Sequence, residues 1–330
     1  MKYDEIDFQS AKTLNVAGHP HWRDGTGLAG LQKIWLLALS PAIVASIWLF
    51  GMKSARIMGL AIAFSVLLEA LCNAVVKTKE RTTNWHSVTL AVLFSFVMPC
   101  DAPWWLVLVG CFIMIVIGKK LFGGYGAYPV HPAILSYAML LVSWPRRFDY
   151  TASCSLIDWP VKMIEPLRLI KTGGSAMADM YRWQDLLLGK QVGGIGNALV
   201  LYLLLGGILL LILRQVPWQI PAAFLAGHGL MAWILCLIDP DQFASPFFYL
   251  LSGSTVFAAF FLAPEHTTSP ANRLPMFIYG LLGGVLLMLI RAFSVYTDGL
   301  AFTILLINLC YPLLDKITPR VLGIEAVRNA

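Results

Sequence analysis

Apolar runs close to 20 residues long recur along the chain, and they decide what it can fold into. They cover residues 31–50, 55–76, 87–99, 104–118, 133–144, 195–213, 218–238, 246–263, 275–293 and 299–314. A helix rises ~1.5 Å per residue, so about 20 apolar residues cross a hydrocarbon core of ~30 Å. In lipid each backbone N–H and C=O must be satisfied internally, which leaves helices as the spanning element for runs of this length. The expected fold is therefore an all-α polytopic membrane protein of about ten transmembrane helices. Composition agrees: 58% of the 330 residues are hydrophobic and 13% are charged, against about 25% charged in a soluble domain.

A formal charge of +6 would suggest a nucleic-acid partner in a soluble chain. No basic patch here carries interleaved aromatics, and the expected surroundings are a lipid bilayer. Lys and Arg gather in cytoplasmic loops of membrane proteins. Of the 24 cations, 14 fall on one side, in the N-terminal tail, around residues 77–81 and 119–120, at Arg214 and Arg273, and in the C-terminal tail. The other side holds Lys53, Arg56 and Arg291, with seven more in the long 145–194 connection. Both termini are expected in the cytoplasm. The segment Met1–Arg23 is polar, with no apolar stretch of the kind a signal peptide needs.

The chain then divides into an N-terminal tail (1–30), a five-helix half (31–144), an outer loop (145–194), a second five-helix half (195–316) and a C-terminal tail (317–330). An odd number of spans per half makes the halves enter the membrane from opposite sides, as in an inverted repeat. Ser87-Val88-Thr89 leads a run ending at Pro99, and Ser252-Gly253-Ser254-Thr255 leads one ending at Pro264. Chance likeness between two apolar helices is the plainer alternative.

Charges inside apolar runs are costly and invite a functional hypothesis. Glu69 lies inside its run, and Asp298 opens the last one; both are candidates for an ion path. Asp298 could equally cap a helix N-terminus, and Glu69 could make a structural hydrogen bond. Glu265 and Asp315 lie near run ends, where water can solvate them. His86, His131, His228 and His266 lie near membrane segments, but only His228 is deep in its run, which fits a two-histidine haem poorly. The cysteines Cys72, Cys100, Cys111, Cys154, Cys236 and Cys310 form no C-x-x-C pair, so an iron–sulfur or zinc site within the chain is poorly supported. Ser252, Gly253, Ser254 and Thr255 are small and polar at a helix start. That pattern suits close approach to an anionic ligand or close helix packing.

Several motifs together resemble one family. Leu251-Ser252-Gly253-Ser254-Thr255 with Phe260-Phe261-Leu262-Ala263 looks like its L-S-G-A-T…F-F-x-A-T-D-P. Leu289-Ile290-Arg291 followed by Tyr296-Thr297-Asp298-Gly299-Leu300-Ala301-Phe302 looks like L-I-R…Y-P-D-G-V-A-F. Asn308 and Pro312-Leu313-Leu314-Asp315 fit L-L-x-N…P-L-I-D. Gly118-Lys119-Lys120-Leu121-Phe122-Gly123-Gly124 and Trp218-Gln219-Ile220-Pro221 also fit. The chain is identified as a member of the RnfD/NqrB family, resembling the RnfD-type component of Rnf complexes.

That resemblance implies a bacterial inner-membrane subunit working with A-, B-, C-, E- and G-type partners to couple electron transfer to Na⁺ or H⁺ movement. It also implies flavin, as FMN or riboflavin. Typical members hold FMN through a phosphoester to a threonine in the outer loop, but Glu165 stands at that position here. A carboxylate cannot form that ester, and its charge repels phosphate. Other flavin-side positions are also expected to have changed: Asn84-Trp85-His86, Gly126-Ala127-Tyr128-Pro129-Val130-His131-Pro132, Gly194-Ile195-Gly196-Asn197 and Ala263-Pro264-Glu265-His266. Flavin would then bind elsewhere, with Ser252–Thr255 as candidate residues and Thr255 as a candidate anchor, or be absent. A flavin-free scaffold and a solute channel or transporter stand as alternatives.

Overall fold

The computed structural model describes residues 27–76, 84–148, 150 and 165–317. Most of the expected tails (1–26 and 318–330) and the loop segment 151–164, with Cys154, lie outside the described residues.

The first half consists of α1 (Leu28–Phe50), α2 (Met52–Val76), α3 (Asn84–Val97), α4 (Trp104–Phe112), which runs on as a π-helix over Ile113–Lys120, and α5 (Pro132–Ser143). Between the halves come α6 (Pro166–Gly173) and α7 (Trp183–Leu187). The second half holds α8 (Val200–Ile212), α9 (Gln219–Ile238), α10 (Pro246–Leu251), α11 (Thr255–Phe257) with a π-helical extension over Ala258–Leu262, α12 (Arg273–Phe293) and α13 (Leu300–Leu314). Among the described residues there is no strand. Helices α1, α2, α9 and α12 are long and apolar enough to span alone, and α3, α5, α8 and α13 are shorter apolar helices.

The solvent pattern is that of a membrane protein. Trp48, Val75, Ile238 and Leu313 point outward, while Glu69, Lys119, His228 and Arg291 are buried. An apolar exterior over a charged interior is stable only where lipid covers the outside.

The helix neighbours repeat between halves. Helix α2 packs on α3 and α4, as α9 packs on α10 and α12. Helix α1 packs on α8 and α5 on α13, the pairing of first with first and last with last that an inverted repeat would produce.

Two expected runs are interrupted. The run 195–213 is helical only from Val200. Before it, irregular backbone packs on the end of α3, where the Ile195 N–H donates to the Met98 carbonyl at 3.0 Å and the Gly196 N–H to that of Phe96 at 3.0 Å. A Cβ on Gly194 would meet Phe96 O at 2.5 Å, so glycine permits this approach. The run 246–263 breaks between α10 and α11, with Gly253 at φ 64°. Both breaks are buried in protein, the condition under which irregular backbone survives at membrane depth.

Helices α9 and α12 meet through glycines. A Cβ on Gly284 would lie 2.0 Å from Phe224 O, and one on Gly227 would lie 2.6 Å from Leu281 O. Small residues of this kind let membrane helices touch along their backbones. Gly284→Leu is expected to destabilise the protein by about 1–3 kcal/mol through overpacking, read as a lower unfolding midpoint in mixed detergent micelles; Gly59→Leu, where a Cβ would have nothing within 4 Å, is expected to leave it unchanged.

Candidate functional site

The bundle carries a polar centre at each end. At the end opposite the lysine-rich loops, a cavity of ≈ 370 Å³ opens among α5, Glu165 and Arg168 of α6, the irregular 192–198 backbone, Gly253, and the 295–302 segment leading into α13. Helix α6 is tied down by Lys171, whose Nζ donates to the carbonyls of Arg291 (3.0 Å) and Ser294. That tie sets Glu165 at the cavity wall. Gly299, at φ 68°, turns the chain into α13.

Arg291 organises the wall. Its Nη2 donates to Asp298 Oδ1 at 2.6 Å and its Nε to the Asp298 carbonyl at 3.1 Å. Nη1 donates to Thr255 Oγ1 at 2.8 Å and lies 3.1 Å from His228 Nε2. Because a guanidinium only donates, that imidazole nitrogen accepts, and Nδ1–H faces the Gly284 carbonyl at 3.3 Å. Ser254 closes the network by donating its hydroxyl and its N–H to Asp298. Asp298, expected as an ion-path candidate or a cap, is thus the counter-ion of Arg291.

The four small residues at the helix break now have places. Gly253 lines the cavity, and its N–H donates to Gln191 Oε1 at 3.1 Å. Ser252, Ser254 and Thr255 are fully buried. The Thr255 hydroxyl donates to the carbonyls of Tyr249 (3.1 Å) and Ser252 (3.2 Å) while accepting from Arg291. Buried as it is, the Thr255 hydroxyl is engaged wholly within the protein.

Glu165 accepts from Thr297 Oγ1, with both carboxylate oxygens within 3.0 Å. Burial, then the neighbouring Asp298 charge, push its pKa up to about 7, against the lowering pull of Thr297, Arg168 and Arg291. The sequence marked this position, but not its partner Thr297.

At the lysine-rich end, Lys119 Nζ donates to Glu69 Oε1 at 2.8 Å and to Ser87 Oγ at 2.9 Å, all fully buried. Lys120 lies 3.6 Å from the same carboxylate oxygen. Glu69 is therefore part of an ion pair in the protein interior. The halves are alike here: each sends a cation from its fourth helix to a hydroxyl on its third and a polar group on its second. The sets are Lys119, Ser87 and Glu69 in one half, and Arg291, Thr255 and His228 in the other.

A second cluster at that end was not assembled by sequence reasoning. Tyr128 Oη donates to Glu265 Oε1 at 2.5 Å and lies 3.2 Å from His86 Nε2. His131 Nε2 lies 3.5 Å from Glu265 Oε2. Of the segments that depart from the family pattern, 194–197 borders the cavity, through Asn197; His86, Tyr128, His131 and Glu265 meet at the other end. His86 lies in the first turn of α3 and Phe96 in its last, so about 15 Å of helix rise separates this cluster from the cavity side. The available signal was that all three segments fall on the same expected side of the membrane.

The fold and these buried polar centres define an all-helical polytopic membrane protein. The chain belongs to the NQR2, RnfD, RnfE family, whose sequence profile matches residues 15–323. It is 31% identical to the D component of the Na(+)-translocating ferredoxin:NAD(+) oxidoreductase complex of Acetobacterium woodii, over 96% of this chain and 97% of that one. It is 35% identical to the D component of the ion-translocating oxidoreductase complex of Alcanivorax borkumensis, over 94% of this chain and 96% of that one. The corresponding protein of Mannheimia succiniciproducens is 32% identical, over 94% and 98%.

Two outcomes follow from the charges. Arg291→Met strands Asp298 and is expected to cost about 3–5 kcal/mol, while Arg291→Met with Asp298→Asn recovers most of it, as measured by detergent unfolding. Glu165 keeps its proton in the folded protein up to about pH 7, whereas an unfolded carboxyl loses it near pH ~4.3. The folded state binds more protons across that window, so stability falls as pH rises through it. Glu165→Gln is expected to flatten that part of the stability–pH profile.

Proposed function

We propose that this chain is the RnfD-type membrane component of an Rnf-type complex that couples electron transfer to Na⁺ or H⁺ translocation. Its setting is a bacterial inner membrane, with both termini in the cytoplasm and A-, B-, C-, E- and G-type subunits as partners. Family membership and likeness to these relatives along nearly the whole chain support the reading, and the ≈ 370 Å³ cavity beside Glu165 is the observation that carries its redox side.

The cavity suits an isoalloxazine ring. Its volume falls within the ~300–1,000 Å³ typical of small-ligand sites. Tyr137, Phe148, Tyr150, Tyr296 and Phe302 give it aromatic walls, against which a flat ring system stacks. Asn197 lines it and adds a polar side chain to the wall. A bound flavin would supply electron uptake and release at this end of the bundle. The chain's residues would bind and orient it, with Arg168 as the cation for a phosphate.

Attachment is the point of difference. Glu165 offers no hydroxyl for a phosphoester, and with Asp298 it places two carboxyl groups at the wall. Both features favour a flavin held without a covalent bond, as FMN against Arg168 or as riboflavin.

The test uses the intact complex, co-expressed with an FMN transferase. This chain is expected to show no ultraviolet fluorescence on a denaturing gel, while the complex releases flavin on denaturation. Asn197→Leu and Tyr150→Ala complexes are expected to release less, and Glu165→Thr to give a fluorescent band. Flavin release unchanged in both cavity variants, with no band in Glu165→Thr, would rule out this cavity as the flavin site.

A further inference from the structure

The cluster at the lysine-rich end is built as a chain of exchangeable protons. His86, Tyr128, His131 and Glu265 are at most 8% exposed. The hydrogen bonds fix the direction of the links from His86 to Tyr128 and from Tyr128 to Glu265. Tyr128 gives its hydroxyl proton to Glu265 Oε1, so the contact between His86 Nε2 and Tyr128 Oη is satisfied only when the imidazole carries its proton on Nε2. His86 Nδ1 is then a bare acceptor, buried and without a protein partner.

A small cavity lies beside this group, lined by Gln32, Trp35, Thr89, Tyr125, Glu265 and His86 itself. Its volume is ≈ 20 Å³, and a water needs about 10–15 Å³ measured in that way. Gln32 Oε1 is also buried without a partner. A water bridging Gln32 and His86 would satisfy both orphaned atoms, the usual reason for water inside a protein. The remaining groups facing the chain are Tyr125, set edge-on to His86 at 4.7 Å between ring centroids, Thr268, which donates to Glu265 Oε2 at 3.4 Å, and His266, packed on Trp35. Lys119, held by Ser87, and Lys33, over the Trp85 ring, are fixed cations nearby.

We propose that His86, Tyr128, Glu265 and His131 form a proton-uptake relay that loads protons onto Glu265 from the lysine-rich end. A proton from the cavity water adds to His86 Nδ1. The imidazole releases its Nε2 proton to Tyr128 Oη, and Tyr128 passes its own hydroxyl proton to Glu265 Oε1. The result is one proton on the carboxyl group, a neutral His86 with its proton on Nδ1, and Tyr128 again a phenol. The water is left as hydroxide until the adjoining solvent restores its proton. His131 Nε2 lies 3.5 Å from the other carboxyl oxygen, Oε2, and is the onward acceptor once rotation of the carboxyl group brings the loaded proton to that side. No oxidant or reductant enters any of these transfers. A site for Na⁺ would gather hard oxygen ligands; imidazole nitrogens at two of the four positions suit protons.

The relay rests on the reading that this chain serves an ion-translocating complex, and the experiment separates the two. The intact complex is reconstituted in vesicles and driven by its electron donor, with a pH-sensitive dye and radioactive sodium recorded in parallel. Wild-type vesicles are expected to take up protons from the lysine-rich side without added sodium, with a rate that slows in D₂O. Tyr128→Phe removes one hydroxyl and keeps the ring packing. With Glu265→Gln and His86→Phe it is expected to lower proton uptake at least tenfold and abolish the D₂O effect, while subunit content stays unchanged. Glu265→Asp is expected to restore part of the uptake. Driven proton uptake that persists in Tyr128→Phe and Glu265→Gln with an unchanged D₂O effect overturns the relay, and so does sodium uptake with no driven proton uptake. Vesicles that move neither ion overturn the coupling reading itself.

Discussion

Arg291 is the interaction on which the rest depends. A guanidinium buried among apolar helices carries a desolvation cost of several kcal/mol, offset only if nearly every N–H finds an acceptor. The fold supplies the acceptors from four places: Asp298 after α12, Thr255 at the start of α11, the Tyr249 carbonyl in α10, and His228 in the middle of α9. Meeting those demands requires α10 and α11 to break at Ser252–Ser254, because an unbroken helix would satisfy its own carbonyls. The same break brings Gly253 to the cavity. Stability and site geometry thus have one cause. Lys119 with Glu69 and Ser87 does the corresponding work in the first half.

Much of this was legible in the sequence. Hydropathy located the spanning segments to within a few residues, because lipid imposes one requirement on every run. The breaks were less legible. Gly196-Asn197 and Ser252-Gly253-Ser254 are weak helix formers, but small residues also pack inside membrane helices, so composition alone does not place the breaks. What decides is tertiary: Phe96 and Met98 accept hydrogen bonds from one segment, and Arg291 and Asp298 hold the other. Glu165 stood out by its place against a pattern, but Thr297, which meets it across the cavity, stood out by nothing local. Glu69 and Asp298 were visible as costly charges. Their cations Lys119 and Arg291 were visible too, but the pairing was not, since hydropathy says nothing about which helix lies beside which.

The polar groups at the lysine-rich end were legible one by one and illegible as a unit. His86, Tyr128, His131 and Glu265 come from three separate segments, each of which reads alone as a helix start or a loop. Burial changes their meaning. In water a histidine beside a tyrosine carries no information; with water excluded, each unsatisfied nitrogen is a cost that the fold would have removed unless something fills it.

The two ends of the bundle are joined by α3, which carries His86 in its first turn and ends against the 194–197 backbone, and by α5, which begins beside His131 and carries Tyr137 to the cavity. A charge appearing in the cavity acts on the relay through this distance. At about 15 Å and an effective dielectric constant of ~20, two unit charges interact by only ~1 kcal/mol, less than the ~1.4 kcal/mol of a single pKa unit. The direct field of one electron is therefore too small to load and then release a proton against a gradient. The remaining coupling has to come from an intermediate polar group or from movement of α3 or α5. The buried polar set of Lys119 lies on α2, on α3 itself and on the π-helical end of α4, which pack on α3 and α5; a shift of either helix would alter hydrogen bonds that a buried cation cannot lose without cost.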